Sequence, residues 1–252
     1  MNEYVQEVEH ALYREAKHVP PGRAAICKHY MGSRFDFLGM TVPAQRQLFA
    51  KGYSFTNLPP KKQLPIWSYI WRYSQCYEAM TQAVMFAERF KRDPGHAKDL
   101  WPGLKSWVSR VDNWGHADGL CGVYAATLEC NHPLVFPQLK QWNRSRHAWL
   151  RRMSIVSLLY YSNSRSKILP FKKMIPLVER LLSDEDIYVQ KGVGWTLREL
   201  GNVYPKDTQQ FIRKHILTLS PAAFTSATEK WSLAAKMPLK AARKNHRRRA
   251  RK

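Results

Sequence analysis

Residues 187–200 read IYVQKGVGWTLREL. Val189, Val193, Leu197 and Leu200 recur at steps of four, four and three, the spacing of one face of an α-helix. Three further stretches follow the same rule: CYEAMTQAVMFAERF at 76–90, HADGLCGVYAATLEC at 116–130 and HAWLRRMSIVSLLYY at 147–161. The third of these four, 116–130, is weakened by two glycines. Period-two alternation is nearly absent and the whole chain has 12 Gly. The sequence is read as all-α.

Stop signals stand at Asp93-Pro94, His132-Pro133, Asn163-Ser164 and Tyr204-Pro205. Successive stops lie about 39 to 41 residues apart at 94–133 and 164–205, close to the roughly 40–47 residues of a HEAT or armadillo repeat. Helix beginnings near Glu78, Asp118, Arg152 and Lys191 have a similar period. A helix pair cannot bury both of its apolar faces alone, so neighbours stack. The expectation is a right-handed α-solenoid of HEAT-like helix pairs in one domain. Arg151, Arg152, Lys191 and Arg198 would line its concave face and make that face a basic, DNA-binding groove.

The 252 residues carry 41 Lys+Arg against 19 Asp+Glu, a net charge of +22. Such a charge calls for a polyanion, with nucleic acid first. Residues 236–252 (KMPLKAARKNHRRRARK) hold nine of these cations and no acid, which leaves a net +13 on residues 1–235. The body is therefore basic in its own right. Residues 1–235 are read as the folded domain and 236–252 as a basic tail, disordered in isolation, with Pro238 ending any helix before it. No uncharged apolar run reaches the ~18–20 residues of a membrane span; Met153 to Ser164 is too short and too polar. The acidic start MNEYVQEVEH has no apolar core, so no secretory signal is expected. A cytosolic protein, associated with the nucleoid through DNA, is the expectation.

Cys27, Cys76, Cys121 and Cys130 form no C-x-x-C pair. His116, Cys121, Cys130 and His132 fit no common zinc spacing, so reduced, buried thiols are expected and no metal. Nor is there a Gly-rich phosphate loop, an H-E-x-x-H or a G-x-S-x-G element. The residues suited to chemistry are an acid and two indoles among cations. Trp114 and Asp118 are four apart, on one helix face; Lys191, Trp195 and Arg198 share another.

Four stretches resemble the AlkD-type DNA alkylation repair glycosylases, a HEAT-like family. YMGSRFDFLGMTVPAQRQLF at 30–49 resembles the family's N-terminal signature, NWGHAD at 113–118 its N-W-D-x-V-D, WLRR at 149–152 its W-x-x-R, and VQKGVGWTLRE at 189–199 its I-Q-K-A-I-G-W-x-L-R-E. They come in the family's order and span most of residues 24–235. The resemblance implies that Asp118 is the catalytic carboxylate and that Trp114 and Trp195 flank the lesion. It implies a phosphate contact for Arg152, and places Tyr30, Lys191 and Arg198 along the DNA. Two positions depart from the family: Gly115 stands where the N-W-D acid would be, and Gln45-Arg46 replaces a pair of arginines. Matching Val111-Asp112 to the motif's V-D would make Asp112 the acid instead. Asp118 keeps the W-x-x-x-D spacing, and Asp112 suits a helix N-cap.

The expected activity is that of a monofunctional glycosylase, acting as a monomer without metal or redox cofactor, that removes N3- or N7-alkylated purines from duplex DNA. The family further implies that the base is handled within the duplex rather than flipped out. No Schiff-base lysine is evident, so no lyase activity is expected. One rival reading is a non-catalytic HEAT protein that binds bent or branched DNA; another is a scaffold for protein partners. Each residue also has an ordinary reading. Asp118 could begin a helix, the tryptophans and Tyr30 could be packing, Arg152 could pair with a surface acid, and His116 and His147 could be surface or satisfied histidines.

Overall fold

A computed structural model describes residues 1–249. The chain is all-helical. Unit one, Met1–His132, holds α1 (Asn2–Ala16), α2 (Arg23–Met31), α3 (Val42–Lys51), α4 (Pro60–Tyr73), α5 (Tyr77–Phe90), α6 (Pro94–Leu104) and α7 (Trp114–Cys130). Unit two opens at Pro133, one residue into α8 (His132–Trp142). It continues with α9 (Ala148–Val156), α10 (Phe171–Glu179), α11 (Ile187–Val203), α12 (Pro205–Lys214), α13 (Pro221–Ala227) and α14 (Leu233–Arg249). Among the described residues no strand forms; Asp36 and Cys76 make one isolated bridge.

The core of unit one is aromatic. Trp67, Trp71, Trp101, Trp107 and Tyr124 are fully buried. Trp71 stacks on Trp107 at 5.3 Å and donates its Nε1 hydrogen to the Trp107 carbonyl at 2.8 Å. Buried indoles need such partners. Glu78, in the first turn of α5, is buried and accepts the N–H groups of Leu38, Gly39 and Met40 at 2.9, 2.8 and 3.2 Å. One carboxylate thus shapes the loop that carries the FDFLGM part of the N-terminal signature.

Unit two is built around α11, which packs against α9, α10, α12 and α13. Its stripe of Val189, Val193, Leu197 and Leu200 is fully buried. At Gly194 an added Cβ would stand 2.7 Å from the Ala223 carbonyl oxygen. Only glycine lets α13 approach α11 this closely.

The proline stops turn out to be starts as well. Pro94 and Pro205 open α6 and α12, where a missing N–H has no helical partner to lose. Asp93 caps α6 by accepting from His96 N at 3.0 Å. Two expectations need correction. The helix at 147–161 ends at Val156, and Tyr161 adopts a left-handed conformation. Here a tertiary bond wins over local periodicity: Glu199 on α11 accepts the Ser162 N–H at 2.8 Å. Pro238 does not end a helix either; it is the sixth residue of α14. Pro65, Pro137 and Pro176 hold the same sixth position in α4, α8 and α10. Such a proline removes one main-chain bond, and α14 offsets it by docking. Leu239 is buried, and Arg243 donates to the carbonyls of Ile216 and Leu219 at 2.6 and 2.7 Å. Of the basic tail, Ala250, Arg251 and Lys252 lie outside the described residues.

Candidate functional site

The start of α7 is fixed from below. Asn113 is fully buried and caps the helix, its Oδ1 accepting the His116 N–H at 2.9 Å. The Asn113 amide donates to Asp112 Oδ1 at 2.9 Å and lies 3.1 Å from His116 Nδ1. On the other side of the ring, His116 Nε2 lies 3.1 Å from the Tyr77 carbonyl. A carbonyl can only accept, so this network assigns the proton to Nε2 and leaves Nδ1 as the acceptor. Burial pushes the imidazole pKa down to about 4, so the ring is neutral near pH 7. His116 is thus a satisfied core histidine.

Asp112 is not the N-cap expected from the sequence; its neighbour Asn113 is. Asp112 accepts from Ser33 Oγ and the Arg34 N–H, both at 2.9 Å, besides Asn113. It ties the loop after α2 to the loop before α7. A carboxylate held by three donors within the fold is a brace.

Above this base, Trp114 and Asp118 occupy successive turns of α7 and both are half-buried. The exposed ring of Tyr30, at the end of α2, meets Trp114 edge-on at 5.4 Å and 88°. Tyr77, which sequence reasoning missed, completes this corner. Its ring stacks between Phe37 at 4.2 Å and His116 at 4.3 Å. Its hydroxyl lies 2.5 Å from where a Gly115 Cβ would be. Gly115 is therefore more than a lost acid: its missing side chain makes room for Tyr77. Burial pushes the Tyr77 hydroxyl up to about 12, and the negative charge of Asp118 acts in the same direction.

Unit two carries the other candidates. Trp195 is half-buried on α11, with Tyr160 at 5.3 Å, Tyr161 at 5.6 Å and the Arg198 guanidinium 5.6 Å above its ring. Arg198 is itself held by Glu199 and Glu229. Lys191 is exposed, with its ammonium 5.2 Å from the Tyr188 ring. Arg152 is 4 % exposed and donates to the Tyr188 carbonyl at 2.8 Å. Arg151 binds Asp184 through Nε and a second nitrogen, and donates to the carbonyls of Ser145 and Arg146. Of the four cations assigned to the basic face, Lys191 stands most openly in solvent.

A family model described as "DNA alkylation repair enzyme" matches residues 11–231. The chain belongs to the DNA alkylation repair enzyme family. Among solved structures it resembles "Predicted DNA alkylation repair enzyme from Enterococcus faecalis", with a TM-score of 0.70 and 18% identity, over 84% of this chain and 96% of that one. AlkD2 from Streptococcus mutans follows at a TM-score of 0.54 and 18% identity, over 75% and 89% of the two chains. The protein smu.31 from Streptococcus mutans UA159 gives 0.53 and 18%, over 74% and 91%. At such identity these likenesses speak for the fold. No curated protein matches the sequence. Among the described residues no helix is long and apolar enough to cross a membrane.

Four residues that pack around these candidates were not singled out in the sequence: Tyr77, Tyr160, Tyr161 and Glu199. Tyr77 stands one residue before Glu78 in a helix noted for its apolar stripe. The three others fall where a continuous helix or a plain motif match was expected. The glycine at 115 was the one signal that a neighbouring side chain fills that space.

Proposed function

We propose that this protein is a monofunctional DNA glycosylase that removes positively charged N3- and N7-alkylpurines from duplex DNA, acting as a monomer. The observation that carries the reading is the start of α7. Trp114 and Asp118 share one face of a helix whose first turn is held by the buried Asn113–His116 pair, while Asp112 is committed to bracing Ser33 and Arg34.

The chemistry suits one carboxylate. An N3- or N7-alkylated purine carries a positive charge and leaves as a neutral base, so it needs no acid to protonate it. As the N-glycosidic bond breaks, positive charge develops on the deoxyribose. Asp118 stabilises that charge and orients the water that adds to C1′. An indole face attracts a cationic base by about 0.5–2 kcal/mol, and Trp114 offers one a single turn from Asp118. Lys191 would contribute phosphate contact, which is salt-dependent and blind to sequence. The test is base release and DNA affinity measured side by side for wild type and Asp118→Asn. The reading requires the variant to keep its affinity and lose release.

A further inference from the structure

Helix α14 carries charges that the candidate site does not use. It lies wholly beyond residues 11–231, the stretch that the family model matches. The sequence from Lys230 onwards has no acid, and Lys236, Lys240 and Lys244 recur at steps of four, on one helix face. Like charges at that spacing repel, and an ordinary solvated helix would interleave acids among them. The helix is held in place by a different face. Leu239 is buried, and Arg243 donates to the carbonyls of Ile216 and Leu219 while its guanidinium stands 5.1 Å from the centre of the Phe224 ring. Docking therefore leaves the lysine stripe outward. Lys240 and Lys244 are exposed, and Lys236, half-buried, donates to the Glu229 carbonyl at 3.0 Å.

The stripe continues from α11, the helix that carries the exposed Lys191. Glu229, whose carbonyl accepts from Lys236, holds Arg198 through its carboxylate, and Lys230 donates to Asn202 at 3.1 Å. Cations thus run from the end of α11 into α14 within one unit. At a rise of about 1.5 Å per residue, Lys236 to Lys244 covers roughly 12 Å. We propose that the exposed lysine face of α14 is an accessory DNA-binding surface that contacts the phosphate backbone of the duplex. The assignment rests on the reading that the protein acts on duplex DNA, and it adds a surface that the family match does not include. Charge complementarity points to a polyanion. A bilayer fits less well: Leu239 is turned into the protein, and the exposed large apolar side chains of α14 are Leu233 and Met237, too little to lie in a membrane surface. Because the helix is docked, its lysines bind with less chain left to order than those of a free tail.

The experiment compares wild type with the pair Lys240→Gln and Lys244→Gln. A control pair, Lys172→Gln and Lys173→Gln, removes the same charge from two exposed lysines of α10. Affinity is read over a range of salt on unmodified duplex DNA and on a duplex with 7-methylguanine on a 2′-fluorinated sugar, which blocks release. Binding to vesicles containing anionic phospholipid is read alongside. For the α14 pair the expected result is a loss on the order of 10-fold at low salt, equal on the two duplexes. The slope of log affinity against log salt should fall by about 2, with melting temperature unchanged. The α10 pair should lose less. Wild-type affinity and slope in the α14 pair overturn the proposal. So does an equal loss in the α10 pair, because net charge rather than α14 would then be responsible. Loss of vesicle binding with DNA affinity intact overturns it as well, in favour of a lipid surface. Wild type that binds neither duplex would sink the DNA-acting reading and the proposal together. Wild type that binds DNA but releases no base from an ordinary 7-methylguanine duplex would sink the glycosylase reading alone, and the affinities would still decide the role of α14.

Discussion

The Tyr77 hydroxyl and the α-carbon of Gly115 share one space: a Cβ built on Gly115 would come within 2.5 Å of that oxygen. The tyrosine cannot swing aside, because Phe37 and His116 stack on its two faces. Gly115→Ala is therefore expected to destabilise the protein, although alanine is the better helix former by about 1 kcal/mol. Overpacking outweighs that gain, with a net loss of about 1–2 kcal/mol in urea denaturation. Combining it with Tyr77→Phe, which deletes the intruding oxygen, should recover part of the loss. Simple additivity of the two substitutions would contradict the shared space.

His116 gives the fold a pH dependence. In the folded protein its pKa is lowered from 6.5 to about 4 by burial. Below 6.5 the unfolded chain takes up a proton that the folded chain refuses, so stability is complete above that pH and falls as pH drops towards 4. The gap corresponds to on the order of 3 kcal/mol. Unfolding midpoints measured from pH 7 to pH 4.5 should decline, and His116→Phe, whatever its stability at pH 7, should show a shallower decline.

Asp112 braces Ser33 and Arg34, while Asp118 is the proposed catalytic acid. Asp112→Ala leaves the Ser33 hydroxyl and the Arg34 amide without their acceptor. A loss on the order of 2 kcal/mol in stability is expected, with base release per folded molecule retained. If Asp112→Ala melted like wild type and lost release, the catalytic acid would have to be reassigned to Asp112.

Among the cations, exposure decides the effect on DNA. Lys191→Ala should weaken binding on all sequences and reduce the slope of log affinity against log salt by about 1. Arg151→Ala should leave that slope unchanged and reduce stability by about 2–3 kcal/mol, since its donors are engaged with Asp184 and main-chain carbonyls. A salt slope that responds to Arg151 would show that its pairing opens when DNA binds.

Where the apolar stripe was regular, the sequence was a good guide. The helices expected at 76–90, 116–130 and 187–200 are α5, α7 and α11, with boundaries moved by a few residues. The family resemblance carried by NWGHAD and VQKGVGWTLRE agrees with the family match over 11–231. What stayed hidden depends on partners far along the chain. Glu78 organises the loop at Leu38–Met40, Glu199 ends the helix that periodicity would continue to Tyr161, and Tyr77 explains the glycine at 115. Pro238 misled because a docked helix tolerates a proline that a free one would not. Local pattern reports propensity; such long-range hydrogen bonds are written in no local pattern.

The most direct test of the account is release of free 7-methylguanine from a duplex carrying it, measured for wild type and Asp118→Asn at equal occupancy of the DNA. The account predicts steady release by wild type and loss in the variant by two to four orders of magnitude, roughly the contribution of a positioned acid–base group. Release by Asp118→Asn at the wild-type rate would contradict it.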